Sequence, residues 1–105
     1  MGIVKKAKTD IKVFKILEEF NGRCVAPWHR IYTYKRGKNY PDDIIDGWLS
    51  SFDDEEHAKV WRDLLASESP EKTYSIYEMI IPKGTQYTTH IMSHELRAKT
   101  LSWIL

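Results

Sequence analysis

Aromatic and basic residues alternate along one short stretch of the sequence, residues 28–36 (WHRIYTYKR). Because successive side chains of a β-strand point to opposite faces, alternate residues of this stretch would share one face. That face would combine rings that can stack on bases with guanidinium groups that can contact phosphates. Its members would be Trp28, Arg30, Tyr32, Tyr34 and Arg36. The alternative is that the tyrosines pack in the core while the basic side chains extend to solvent.

Carboxylates are concentrated in the segment that follows. Asp42, Asp43 and Asp46 fall in a polar stretch, and four more acidic residues occupy positions 53–56. Acidic side chains spread over one surface can occupy a basic cleft and so imitate the phosphates of DNA. The alternative is a solvated loop followed by a helix with an acidic first turn. We add Asp42, Asp43 and Asp46 to the five residues above as candidate binding residues.

Two pairs of residues have the types needed for a metal or nucleophilic site. His90 and His94 would share a face of a helix, as a zinc site requires. Their neighbours favour an extended chain, in which the two would lie ~13 Å apart. Cys24 and His29 form a nucleophile and base close in sequence, but no family signature surrounds them. We therefore predict no metal ligand and no catalytic residue.

The glycines are isolated, at positions 2, 22, 37, 47 and 84. Neither the phosphate-binding loop of nucleotide hydrolases nor the dinucleotide-binding fingerprint is present. We therefore expect no cofactor.

Length and composition indicate one globular domain. The chain has 105 residues, of which 42% are hydrophobic and 30% charged. A single cysteine excludes an internal disulfide and favours a reducing compartment, so we expect a cytoplasmic protein. No signal peptide and no run of ~20 apolar residues is present, so we expect no membrane contact.

Charge is distributed unevenly although the net charge is only +1. Residues 1–38 carry +7, residues 39–78 carry −8 and residues 79–105 carry +2. This pattern predicts separate electrostatic faces. The alternative is that basic and acidic segments pack side by side and neutralise each other.

Strands account for most of the predicted regular structure. Runs of β-branched and aromatic residues predict strands at 11–17, 30–35, 48–52, 73–81, 86–92 and 97–105. Asn21-Gly22 is typical of a two-residue hairpin loop, so residues 23–25 should pair back. Residues 38–47 read as a loop, with one possible helical turn at 42–46. We expect residues 1–10 to be a flexible N-terminus and residues 11–105 to be the domain.

One helix is predicted, at residues 54–67. Asp53 can cap its N-terminus, with Glu56 completing a capping box, and Pro70 should end it. Apolar residues recur at helical spacing, so one face should pack on the sheet. That face comprises Ala58, Val60, Trp61, Leu64 and Leu65. The predicted fold class is α+β, with one main amphipathic helix packed on a short-stranded, mostly antiparallel sheet.

Short motifs also give the chain a family resemblance. It has a strand IKVFKIL, the elements YTYKRGK and GWLSSF, a helix with EEHAKVW, a strand ending IIPKGT and a final RAKTL. This order resembles small uncharacterised proteins encoded by phages and other mobile elements. The resemblance implies an accessory protein that acts on a host factor, and it assigns no catalytic residue.

The same order of elements also resembles reduced ADP-ribosyltransferase folds. In that resemblance His29, Tyr77 and Glu95 would hold the nicotinamide ribose.

Three functions follow from these patterns. The first is a non-enzymatic, phage-like interaction protein that binds a host protein through its charged and aromatic surface and inhibits a host or defence factor. The second is a nucleic-acid or nucleotide binder that uses the strand at residues 28–36. The third is an ADP-ribosyltransferase-like enzyme.

Overall fold

A computed structural model of the protein describes residues 3–27, 29–41, 47–89 and 93–104, with the backbone alone for residues 29–31. These ranges contain ten β-strands and one α-helix. In chain order they are β1 (Val4–Lys6), β2 (Ile11–Phe20), β3 (Arg23–Ala26), β4 (His29–Tyr34), β5 (Gly37–Asn39), β6 (Leu49–Phe52), α1 (Glu55–Glu68), β7 (Thr73–Ile81), β8 (Gln86–Thr89), β9 (Glu95–Ala98) and β10 (Leu101–Trp103). The described strand pairs are antiparallel, which confirms the α+β class.

The strand order is β1-β8-β9-β6-β2-β7-β10-β5, and β3 joins β2 to β4. The longest ladder, between β2 and β7, runs from Ile11 opposite Ile81 to Glu19 opposite Thr73. Val13, Met79 and Ile81 are buried along it. The apolar residues on both faces of residues 11–17 predicted a central strand, and β2 is central.

The turn after β2 is the predicted two-residue hairpin. Phe20 pairs with Arg23 across Asn21 and Gly22, whose φ angles are 51° and 74°. Positive φ at both central residues defines the type I′ turn that Asn-Gly favours. Other predicted strands are confirmed to within one or two residues as β4, β6 and β7. Residues 42–46 and 90–92, on which a helical turn and the end of a strand were predicted, lie outside the described residues.

The prediction of one strand over residues 97–105 was wrong. Two short strands, β9 and β10, occupy this part of the chain and pair with different neighbours. A bend at Lys99 separates them, and it is held because Lys99 donates its backbone N–H to the Gln86 carbonyl and its Nζ to the Gly47 carbonyl. The chain therefore leaves one half of the sheet after β9 and joins the other half at β10.

Two strands lie where none was predicted. β5 falls in the predicted loop at 38–47 and pairs with β10, and the buried Asn39 side chain donates to the Leu101 carbonyl of β10 as well as to the Lys35 carbonyl. β1 pairs with β8 within the segment expected to be flexible. Its flexibility stays a prediction.

The helix begins one residue later than predicted. Asp54, not Asp53, is the N-cap, and its Oδ2 accepts the backbone N–H of His57 at 3.1 Å. Asp53 instead bonds His94. Glu56 therefore does not occupy the capping-box position, although Glu55 and Glu56 do lie in the first turn. The helix ends at Glu68, one residue later than predicted and two residues before Pro70.

The helix packs on β7, β2 and β6 through a narrower face than predicted. Ala58 is buried and Leu65 is half-buried, but Val60, Trp61 and Leu64 are 57%, 40% and 50% exposed. The prediction that all five residues face the sheet was therefore wrong for these three. A small side chain at Ala58 lets the helix backbone approach the sheet closely, and the larger residues fall beside the contact.

The observed N-cap gives a first prediction. Asp54→Ala should lower the free energy of unfolding by about 1 kcal/mol, because it leaves a helix N–H without its acceptor. Asp53→Ala should cost less, since it removes a surface contact with an exposed histidine. Urea unfolding at pH 7 measures both. An equal or larger loss for Asp53→Ala would contradict the position of the cap.

Candidate functional site

A pocket of about 380 Å³ lies between the first two turns of α1 and the strands β6 and β9. A volume of this size suits a small ligand or a single large side chain. The residues that line it are Ser50, Phe52, His57, Trp61, Ser93 and Glu95. The lining therefore joins two hydroxyls, an imidazole and a carboxylate to two aromatic rings.

Strand pairing and one turn position these residues. Ser50 and Phe52 share a face of β6, because side chains of a strand alternate. Phe52 pairs with Glu95 of β9, which places the carboxylate beside the ring. The backbone N–H of Asp53 donates to the His94 carbonyl at 2.9 Å, which joins the start of the helix to the segment before β9.

Two histidine rings meet at a tilt of 57° at the edge of the pocket. The rings of His57 and His94 are 5.0 Å apart between centroids, and Phe52 lies 5.4 Å from His57. His94 Nδ1 lies 2.9 Å from the Asp53 carboxylate, and the Trp61 indole N–H donates to His57 Nε2 at 3.1 Å. A neutral His57 therefore carries its proton on Nδ1.

A buried lysine lies next to Ser50. Lys15, in the middle of β2, is 3% exposed, and its Nζ is 2.7 Å from the Ser50 carbonyl and 3.2 Å from Ser50 Oγ. Burial lowers the pKa of Lys15 from 10.5 to about 7, and the negative charge of Glu95 opposes this shift. The Tyr34 ring lies 5.0 Å from the amine. Burial also raises the pKa of Tyr34 above its usual value, so that this phenol stays neutral.

A second feature lies on the exposed surface of α1, beside the pocket, and it shares Trp61 with the pocket lining. Val60, Trp61 and Leu64, which we call the helix apolar patch, are adjacent because residues three and four apart are neighbours on a helix. All three are exposed. Acidic side chains border the patch by the same spacing, since Glu56 precedes Val60 by one turn and Glu68 follows Leu64 by one turn.

The predicted aromatic strand is only partly described. Tyr32 and Tyr34 do share a face of β4, in a T-shaped contact with centroids 4.8 Å apart. Tyr34 is 4% exposed, so its ring is not accessible for stacking on a base. Tyr32 donates its hydroxyl to the Tyr40 carbonyl, and the Arg36 guanidinium lies 4.5 Å from the Trp103 ring centroid. These contacts favour the alternative in which the tyrosines pack inward.

Other members of the predicted set fall outside the described part of the chain. They are Trp28, the Arg30 side chain, Asp42, Asp43 and Asp46. Their role in binding stays a prediction. The remaining acidic residues, at 53–56, lie at the start of α1, next to the pocket.

The residues considered for a metal, nucleophilic or ADP-ribosyltransferase-like site do not come together in the described part of the chain. His94 is described and bonds Asp53, whereas His90 is not described. Within residues 3–27, 29–41, 47–89 and 93–104, no group of three His, Cys, Asp or Glu side chains is arranged to hold a metal ion. Cys24 is half-buried on β3. Glu95 lines the pocket, but Tyr77 packs against Trp103 with centroids 4.7 Å apart.

Sequence reasoning did not identify Lys15 or Ser50. A lysine in the apolar strand IKVFKIL was the one available signal, because a charged residue there must either reach solvent or be held by polar partners. Ser50 carried no signal, since it becomes notable only through its distance from Lys15.

Comparison with known proteins gives no assignment. No protein-family model matches the chain, and no match was found among curated proteins or solved structures. In the described residues, the one helix is too short and too polar to cross a membrane.

The buried lysine gives a second prediction. The unfolded chain keeps the Lys15 proton up to pH 10.5, whereas the folded protein releases it near pH 7. Between these values the unfolded state binds more protons, so the free energy of unfolding should rise with pH, by up to about 1.4 kcal/mol per pH unit. Below pH 7 both states carry the proton, and this contribution is constant. Urea unfolding from pH 6 to pH 10 measures the slope.

The control compares two lysines of the same strand. Lys15→Met should remove this part of the slope. Lys12→Met should keep it, because Lys12 is exposed and pairs with Glu78 at 3.5 Å on the surface. A slope that Lys15→Met leaves unchanged would show that the buried amine does not titrate in this range.

Proposed function

We propose that this chain is an interaction protein whose helix apolar patch binds an apolar, basic segment of another protein. The observation that carries the proposal is the exposure of Val60, Trp61 and Leu64 together on one side of α1. Contiguous exposed apolar residues within a polar border are typical of protein-binding surfaces. Tryptophan is also one of the residues that contribute most to binding at such surfaces.

Charge around the patch supports a basic partner. Residues 53–71 contain seven acidic and two basic residues. Glu56 and Asp63, on the helix surface beside the patch, have side chains that are 79% and 71% exposed, although they pair with Lys59 and Arg62 respectively. A segment with lysine or arginine beside its apolar residues would meet opposite charge at this border and would associate faster for that reason.

The buried contact of the helix with the sheet is made by Ala58, which is not a member of the patch. Ala58 is fully buried, whereas Val60 and Leu64 are at least half exposed. In this proposal, Ala58 makes the contact of the helix with the sheet, and the helix apolar patch makes the contact with a partner. A host protein as that partner, a phage origin and an inhibitory role stay predictions from the sequence.

Stability should respond differently at the two faces. Val60→Gln combined with Leu64→Gln should change the free energy of unfolding by less than about 0.5 kcal/mol, since exposed positions tolerate substitution and glutamine suits a helix. Ala58→Gln should destabilise strongly, because no space exists for a longer side chain in a packed interface. Urea unfolding compares the three proteins. A large loss in the double variant would mean that the patch serves the fold.

Binding is tested with a library of displayed peptides. A random peptide library is selected on the wild type and counter-selected on the Val60→Gln/Leu64→Gln variant. We expect recovered peptides to combine apolar residues with lysine or arginine. Synthetic copies should bind with micromolar affinity that weakens as salt rises from 50 to 500 mM.

A matched variant and a second measurement complete this test. Ile104→Gln removes an equally exposed apolar residue elsewhere on the surface, and it should leave peptide binding unchanged. Peptides that bind the double variant equally well, or that are acidic, would overturn the proposal. So would a wild-type dimer in sedimentation that the double variant abolishes, because the patch would then bind a second copy of the chain.

A further inference from the structure

We propose that Ser50 is a nucleophile, that Lys15 is its general base, and that the pocket in front of Ser50 receives the acyl group of a neutral ester. The inference rests on three observations. Ser50 lines the pocket of about 380 Å³. Its Oγ is 3.2 Å from Lys15 Nζ. Lys15 is buried and is not among the lining residues, so the amine reaches the hydroxyl from behind.

Hydrogen bonding fixes the orientation of the amine. Lys15 Nζ donates to the Ser50 carbonyl at 2.7 Å, which directs one N–H away from the hydroxyl. When the amine is neutral, its lone pair can accept the Ser50 proton. An ordinary lysine is almost entirely protonated at neutral pH, whereas burial lowers the pKa of Lys15 to about 7. A serine activated by a lysine is a known variant of the serine nucleophile.

The reaction balances with these two side chains and water. Ser50 Oγ attacks the carbonyl carbon of the ester and forms a C–O bond, while its proton passes to Lys15 Nζ. The bond to the leaving alcohol then breaks, and Lys15 returns the proton to the alcohol oxygen. In the second half a water molecule gives a proton to Lys15, attacks the acyl group and releases it as an acid. The proton on Lys15 returns to Ser50 Oγ.

The lining of the pocket selects the class of substrate. Phe52 and Trp61 offer aromatic surface to an apolar acyl group. Glu95 places a carboxylate in the same wall, so a negatively charged substrate would be repelled. A short, uncharged ester fits both conditions.

An alkyl fluorophosphonate tests the serine directly, because it is neutral and forms a stable bond with an activated serine. Ser50 Oγ would form the O–P bond, fluoride would leave, and the proton would pass through Lys15 to solvent. Intact-protein mass spectrometry with peptide mapping should find one adduct, on Ser50. Ser50→Ala should abolish it. Ser51 is the neighbouring serine on the opposite face of β6, so the Ser51→Ala variant should react like the wild type.

A pH profile separates a base from a merely structural lysine. Labelling of the wild type should accelerate at least tenfold from pH 5.5 to pH 8.5, with an inflection near pH 7. Glu95 of β9 and Tyr34 of β4 face the amine, and His57 of α1 lines the pocket. Because Lys15 and not His57 is the proposed base, His57→Gln should keep the inflection. Lys15→Met should lose the inflection and react at least tenfold more slowly at pH 8.

Two results would overturn the proposal. One is a wild-type protein, folded by circular dichroism, that forms no adduct at Ser50 after long incubation at pH 8.5. The other is an adduct at Ser50 whose rate does not depend on pH between 5.5 and 8.5. Neither result depends on the folding of a variant.

Discussion

The ladder between β2 and β7 is the constraint on which the rest of the structure depends. It fixes nine consecutive residues of β2 against β7, while β3 and β6 pair along the opposite edge of the same strand. A strand held on both sides cannot rotate to move a side chain into solvent. Lys15 therefore stays buried, and the Ser50 carbonyl and hydroxyl replace some of the water that its amine has lost. The register of β2 therefore places a buried amine behind Ser50, which lines the pocket.

The sequence predicted those elements whose conformation depends on residues that are neighbours in the chain. Asn21-Gly22 gave the hairpin because few other residue pairs adopt two successive positive φ angles. The run at 73–81 gave β7, since six of its nine residues are β-branched or aromatic. β5 was missed because its three residues (GKN) have no strand propensity, and its pairing depends on Asn39 and on β10, which follows about 60 residues later. The bend at Lys99 was also missed, because it is held by hydrogen bonds to Gln86 and Gly47, which are distant in the sequence.

The candidate site was predictable only in part. Sequence periodicity identified the apolar residues of the helix, but it could not say which of them would face the sheet, because that depends on how closely Ala58 allows the helix to approach. It also favoured Tyr34 as a contact residue, although an alternating strand has one buried face and the sequence does not mark which one. The pairing of Ser50 with Lys15 arises where β2 and β6 meet, between residues 35 positions apart. No window of sequence contains both.

The division of residues 95–103 between two halves of the sheet has a consequence for how the protein folds. β9 completes a ladder with β6 and β8, and β10 completes one with β5 and β7, so this short segment bridges strands from distant parts of the chain. Val4 likewise pairs with Thr88. Closing such long loops costs entropy before any contact compensates it, and chains with many distant pairings fold slowly. Because Glu95 comes from this segment, the pocket is complete only once β9 has docked, whereas the turns of α1 and the hairpin at Asn21 join residues close in sequence.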